Sequence, residues 1–317
     1  MTATSRSTVG AWTGEGLAHE AFIFDDDEAM RARVIPYIEE GRVQGQPSVV
    51  VASEGVCTLL ADRLGEDRSD LVLFQDSERF WEGGSQTLAT CQERMTPLLE
   101  AGGPWRLVCQ PTWLTREGGE VWSRFEAVAN DAFADYPYYS LCLHDRRQLS
   151  RELVEDALRT HPLMWDGDDV VRSPAYQPTA AFLRSVEPPW TERPEGRDAE
   201  VVTRPGAARA FVHRLLPGHL PEDHIEDVVL AVHELVANAL NAAGAAEVSH
   251  WHADGSHVWE VRDDGTGMHD TAAGYAPPRR DVPSGRGLWI ARSLADEATV
   301  RPYGPGTAIR LYFREHD

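Results

Sequence analysis

Between Ala18 and His161 short apolar runs alternate with stretches whose apolar residues recur every three or four positions. The runs at 21–24, 48–52, 71–74, 106–109 and 139–143 predict strands, because brief apolar segments between polar breaks suit buried strands. The stretches 27–44, 55–64, 85–101, 117–133 and 150–160 carry helical spacing. Strand–helix alternation of this kind implies an α/β domain, a mostly parallel sheet with helices on both faces.

From residue 198 the pattern changes. In IEDVVLAVHELVANALN (225–241) the residues Ile225, Val228, Val229, Val232, Leu235, Val236, Ala239 and Leu240 form one apolar helical stripe. Glu234, Asn238 and Asn241 fall at i, i+4 and i+7, in a polar column beside it. Asn is a weak helix former, and carboxamides beside a core-facing stripe are costly to desolvate without a polar partner. Either this column is an edge turned to water or something polar meets it. Residues 258–261 then alternate like a strand and run into Asp263-Asp264-Gly265-Thr266-Gly267. Ser284-Gly285-Arg286-Gly287-Leu288 opens a helical run over 288–295, and Gly306-Thr307 leads into a last strand at 308–313.

Prolines 174, 178, 188, 189 and 194 separate the two patterns, which predicts extended, semi-rigid chain. The expected organisation is a disordered polar tail (1–14), a first domain (15–185), a proline-rich linker (186–197) and a second domain (198–317). Phe182 and Leu183 are candidates to begin a short helix that packs on one domain.

Length agrees with two domains: 317 residues, 42% hydrophobic, enough to fill two cores. No apolar stretch nears the roughly 20 residues that span a bilayer, and the N-terminus lacks a signal peptide's apolar segment, so the expected location is the cytoplasm. All 30 basic residues are arginine, which removes a P-loop lysine. The net charge of −21 argues against nucleic acid and anionic membranes, both of which reward excess positive charge. Residues 198–317 hold 11 Arg against 18 Asp and Glu, and the rest 19 against 33, so both halves are acidic.

In the first half Asp25-Asp26-Asp27 follows the first strand where a phosphate loop would need glycines. Three carboxylates would repel phosphate, and the run reads as an N-cap with a first helical turn, so no nucleotide is expected there. Cys57, Cys91, Cys109 and Cys142 are scattered, without CxxC pairing, and Cys109 and Cys142 read as buried small hydrophobes. His19, Trp113, His144 and His161 either line a pocket at the strand ends or simply fill the core. The spacing of His, Cys and Asp suggests no metal site.

The ordered set ELVANALN, DDGTG, GRGL and GTAIRLYF resembles the N box, DxGxG box, GxG box and closing strand of the ATP-binding domain shared by DNA gyrase, ninety-kilodalton heat-shock chaperones and histidine kinases (the Bergerat fold), an α+β sandwich. The pieces LAHEAFIF, IPYIEEGRVQGQPSVVVAS, CQPTW, FEAVANDAF, LCLHD and THPLMW resemble the MEDS sensory domain, built like a RecA-type core without its P-loop. That second resemblance implies signal sensing, with small organic molecules as ligands in some relatives.

The first resemblance implies Mg-ATP bound over the helix face. Asn238 would ligate Mg²⁺ and Glu234 would act as general base. Asp263 would accept from the adenine amino group, with Gly265 and Gly267 shaping the turn. Gly285, Arg286 and Gly287 would hold phosphate at a helix N-terminus, Thr307 would complete the adenine pocket, and Asn241 would touch phosphates or waters. Arg279 and Arg280 are further candidates to neutralise phosphate, in a lid over about 268–284. The compact form, and PGAARAFVHRLLPGHLPEDHIEDVVLAVHELVANAL in particular, resembles the anti-sigma factor serine kinases. It implies two partners, a sigma factor and an anti-anti-sigma antagonist that is phosphorylated on serine or threonine. Many relatives carry a basic residue and a histidine where this chain has Asn241 and Ala242, which bears on transfer more than on binding. A kinase-inactive sequestering module and an atypical sensor histidine kinase remain as alternatives. The latter lacks its hairpin with a phosphoacceptor histidine before residue 198. A homodimer is left open.

Overall fold

The computed structural model describes residues 12–64, 72–77, 103–115, 123–187, 190–216, 220–268, 273–275 and 286–314. The chain divides into two compact units, Met1–Phe182 and Leu183–Asp317. The helix expected at 85–101 and the start of the one expected at 117 lie outside the described residues.

In the first unit seven strands form one sheet in the order β3-β2-β4-β5-β1-β6-β7. The strands are β1 (Ala18–Phe24), β2 (Ser48–Ala52), β3 (Val72–Asp76), β4 (Trp105–Cys109), β5 (Tyr138–Asp145), β6 (Leu163–Trp165) and β7 (Val170–Arg172). Every pairing is parallel except β6 with β7. Each residue of β2, β4 and β5 is buried, as expected where helices cover both faces of a parallel sheet. Five of these strands were expected; β6 and β7 are three residues each, too short to show a period.

The acidic run after β1 is a helix start, as its composition suggested. Asp26 is the N-cap of the Asp27–Val43 helix and its carboxylate accepts from the Ala29 amide at 2.7 Å. That helix buries Met30, Val34, Tyr37 and Ile38 against the sheet. Buried charge beneath it is matched: Arg33 donates to both carboxylate oxygens of Glu20 at 2.6–2.8 Å, and the Tyr139 hydroxyl donates to the same group. The polar tail ends earlier than expected, because the Trp12 ring packs edge-on against Tyr139 and its Nε1 donates to the carbonyls of Glu15 and Gly16.

The second unit is an antiparallel sheet ordered β11-β12-β10-β9-β8, with three helices on one face. Its strands are β8 (Asp198–Val202), β9 (Ala246–Ala253), β10 (Ser256–Arg262), β11 (Glu297–Tyr303) and β12 (Gly306–Arg314). The helices are Pro205–Leu215, Glu222–Ala243 and Arg286–Leu294. Alternation sorts the strands' side chains. Trp259 and Val261 of β10, with Ile309, Leu311 and Phe313 of β12, join Val228, Val232, Leu235 and Val236 in one core. On the other face Glu260 sits directly opposite Arg310, whose Nε donates to it at 2.7 Å.

The stretch expected as a semi-rigid, proline-rich linker contributes to this face. Trp190 lies under the Arg310 guanidinium at 3.9 Å, and Arg193 pairs with Glu247 and with the buried Glu260. A carboxylate buried on the sheet must be matched by cations, and this segment supplies one. Pro188 and Pro189 lie outside the described residues. No helix among the described residues is long and apolar enough to cross a membrane.

His250 on β9 gives the second unit a pH dependence. It is buried, its ring 4.3 Å from that of Trp259, and burial lowers its pKa from 6.5 to about 4, with His257 adding to the effect. Between those values the unfolded chain takes a proton that the folded chain refuses. The contribution is therefore complete above 6.5 and is lost as pH falls toward 4. The urea midpoint of the full chain is expected to be lower at pH 5 than at pH 7. A His250→Gln variant should show a smaller difference, and an unchanged one would contradict the assignment.

Candidate functional site

The site is built at one end of the second unit, where the long helix, the end of β10, the start of β12 and the last helix meet. The Glu222–Ala243 helix holds its apolar stripe in the core and ends at Gly244, whose left-handed φ of 75° lets its amide reach back to Leu240 O at 2.8 Å. Beside the stripe, Glu234 is half-buried, and Asn238 and Asn241 are exposed. The polar column is therefore turned away from the core, and its inner end is met by another element.

That element is the helix Arg286–Leu294. A Cβ added at Gly287 would stand 2.8 Å from Asn238 Nδ2 and 3.0 Å from Glu234 Oε2. Only a residue without a side chain lets the helix N-terminus come so close to the carboxylate and the carboxamide. Arg286 is exposed at the first position of this helix, and Gly285 lies outside the described residues. The end of a helix offers unpaired amides and a positive dipole end, a setting that suits anions.

Asp263 follows the last residue of β10, and its amide continues the ladder by donating to Thr307 O at 3.0 Å. Its Oδ1 accepts from the Gly265 amide at 2.8 Å, which fixes the carboxylate and leaves Oδ2 as an acceptor for a ligand. Gly265 also touches the long helix, since a Cβ there would be 2.8 Å from the Cβ of Ala242. Gly267 has φ +77° and packs on the carbonyl of Pro305. Thr307 is buried, and its carbonyl holds Asp263 in place.

Several contributors were not among the expected site residues. A Cβ at Gly306 would collide with the carbonyl oxygen of Asp263 and come within 2.8 Å of Asp264 Cα. Ala242, exposed at the end of the long helix, lies against Gly265. Gly274, at φ +77°, packs on the backbone of Leu288, and Arg292 donates to Ala273 O at 3.1 Å while lying 4.0 Å from the Tyr275 ring. These contacts fix residues 273–275 of the expected lid to the last helix. Arg279 and Arg280 lie outside the described residues.

The arrangement fits a magnesium nucleotide by the chemistry of its donors. An exposed side chain beside a helix N-terminus, Asn238, carries a hard carboxamide oxygen of the kind an oxygen-seeking cation that keeps several waters would require. The glycine contacts leave backbone, not side chains, lining the approach. Asp263 keeps one carboxylate oxygen outside its hydrogen bond to Gly265, an acceptor of the kind an amino group requires.

Comparison with known families agrees with this geometry. Residues 18–162 match the MEDS model, described as the methanogen/methylotroph, DcmR sensory domain. Residues 200–313 match the model of the histidine kinase-like ATPase domain, which implies ATP as the nucleotide. No curated protein matches the chain. The chain therefore joins a MEDS sensory domain to a histidine kinase-like ATPase domain.

Proposed function

We propose that this protein is a signal-responsive anti-sigma regulator. On this reading it binds Mg-ATP in the second unit and phosphorylates a serine or threonine of an anti-anti-sigma antagonist. The observation that supports it is the closeness of Gly287 to both Asn238 and Glu234, which brings a carboxamide, a carboxylate and a helix N-terminus together. Bound there, ATP supplies the phosphoryl group and Mg²⁺ neutralises charge. Asn238 Oδ1 would ligate the cation, and the amides around Gly287 would donate to phosphate oxygens. Asp263 accepts from the adenine amino group and so selects the base. Glu234, one helical turn before Asn238, takes the proton from the attacking hydroxyl.

The first unit, as a sensory domain, would set how freely the second exchanges partners. The sigma factor and its antagonist are the expected partners, and a small organic molecule is the expected signal.

A sequestering module without kinase activity has one observation in its favour. Ala242, exposed beside the Gly265 turn, brings no ionisable side chain to the position where relatives carry histidine. Labelled Mg-ATP and an antagonist protein separate the two readings. Transfer to serine or threonine is expected, with Glu234→Ala lowering it by about 10²–10⁴-fold while nucleotide still binds. Binding without transfer by the unaltered chain would support the sequestering module. Label on a histidine of this chain would contradict both.

A further inference from the structure

Four side chains with metal-binding atoms converge inside the first unit from four separate elements. His19 stands on β1, Cys142 on the adjacent β5, Glu126 on the Ser123–Ala132 helix, and His161 just after the Arg151–Thr160 helix. They are 4%, 3%, 5% and 0% exposed, respectively, and their donor atoms all lie within 4.8 Å of one another. Nε2 of His19 is 3.6 Å from Glu126 Oε2 and 3.4 Å from Cys142 Sγ, and Nε2 of His161 is 3.7 Å from the same oxygen. Around a tetrahedral ion with bonds of about 2.0–2.3 Å, neighbouring donors stand roughly 3.3–3.6 Å apart. These edges need little contraction.

The orientation of the rings adds a second, independent observation. Nδ1 of His19 faces Asn130 Oδ1 at 3.0 Å, and Nδ1 of His161 faces the Ala157 carbonyl at 2.8 Å. Asn130 is itself fixed, since its Nδ2 donates to the Thr160 carbonyl at 2.7 Å and so turns its oxygen to His19. Both Nδ1 atoms therefore carry the proton, and both Nε2 atoms present lone pairs to the cluster. Nε2 of His161 has no hydrogen-bond partner although it is buried. Two imidazole lone pairs facing one buried carboxylate repel one another. A proton on Glu126 and the Cys142 thiol, 3.4 Å from Nε2 of His19, can serve one Nε2 each, whereas a single cation at the centre meets all four donors at once. Partners that hold Nδ1 and aim Nε2 are also what orients histidine ligands around a metal.

We propose that His19, Glu126, Cys142 and His161 bind one divalent transition-metal ion of the Zn²⁺ class, with Nε2, carboxylate, thiolate and Nε2 as donors. Imidazole and thiolate favour such an ion over Mg²⁺ or Ca²⁺. Binding displaces two protons to solvent, one from the Cys142 thiol and one from the Glu126 carboxyl, which burial keeps protonated in the metal-free unit. Four protein donors complete a tetrahedron and leave no position for an activated water, so the ion stabilises the unit or reports on metal supply and does not hydrolyse a substrate. The site is independent of the nucleotide reading, because all its donors lie in the first unit.

The test is metal analysis of the reduced full chain, followed by Co²⁺ titration with absorption and circular dichroism. One equivalent of metal is expected, with the d–d bands of tetrahedral cobalt and a thiolate-to-cobalt charge-transfer band. Cys142→Ser should lose that band, and His161→Gln should weaken Co²⁺ binding by at least roughly 10-fold. Cys109→Ser, at the register position opposite Cys142 but outside the four donors, should keep the band. If Cys142→Ser does not fold, the wild-type band and His161→Gln still decide. A folded chain that takes up neither Zn²⁺ nor Co²⁺ overturns the proposal, as does a charge-transfer band that survives in Cys142→Ser or binding unchanged in His161→Gln.

Discussion

Replacing Gly306 by alanine should abolish nucleotide uptake and lower the stability of the second unit by about 1–3 kcal/mol or more, the cost of forcing an extra group into packed surroundings. The reason is local. The added methyl would collide with the carbonyl group of Asp263 and crowd Asp264, all of it backbone that no rotamer change can move aside. Relief requires the start of β12 to separate from the end of β10. That separation breaks the bond from the Asp263 amide to Thr307 and turns the Asp263 carboxylate out of place. Gly206→Ala serves as the control, because nothing lies within 4 Å of a Cβ there. The measurement is nucleotide titration alongside urea unfolding of both variants. Equal behaviour of the two would show that the closeness of Gly306 to Asp263 has no bearing on the site.

Asn238→Ala should weaken magnesium-dependent ATP binding at least roughly 10–100-fold, the loss that follows removal of even an outer partner of a metal ion. Asn238 is exposed and stands beside the Gly287 backbone outside the hydrophobic core, so its truncation removes no apolar packing. Alanine is also the better helix former, by up to about 0.7 kcal/mol, so the variant should be no less stable than the parent. Lost affinity without lost stability separates a ligand from a packing residue. Binding of ATP in the absence of Mg²⁺ should change little, because the carboxamide acts through the cation. A parallel loss with and without Mg²⁺ would assign Asn238 to some other role.

Much of the fold is legible from residue pattern. The five longer strands of the first unit stand out because parallel strands covered on both faces are nearly continuous apolar runs. Asp26 announces a helix start because its carboxylate serves an amide that would otherwise lack an acceptor. The long helix of the second unit reads clearly because its stripe keeps one period from Ile225 to Leu240.

Other features depend on contacts between distant residues. The closeness of Gly287 to Glu234 and of Gly306 to Asp263 is tertiary, and a glycine in a sequence does not say what it touches. Trp190 and Arg193 sit in proline-rich chain that suggests an extended linker, yet the buried Glu260 and its partner Arg310 draw them onto the sheet. His19, Glu126, Cys142 and His161 escape any motif search because each comes from a different element. Metal-binding motifs are recognised by short spacings, and here the fold does the gathering.

The account turns on whether the polar end of the long helix and its glycine neighbours take up a magnesium nucleotide. Isothermal titration of the full chain with ATP, with and without Mg²⁺, tests this most directly. One site per chain is expected, bound in Mg²⁺, weakened when the ion is withheld and lost in Gly306→Ala. A folded chain that binds no ATP in the presence of Mg²⁺ would contradict it.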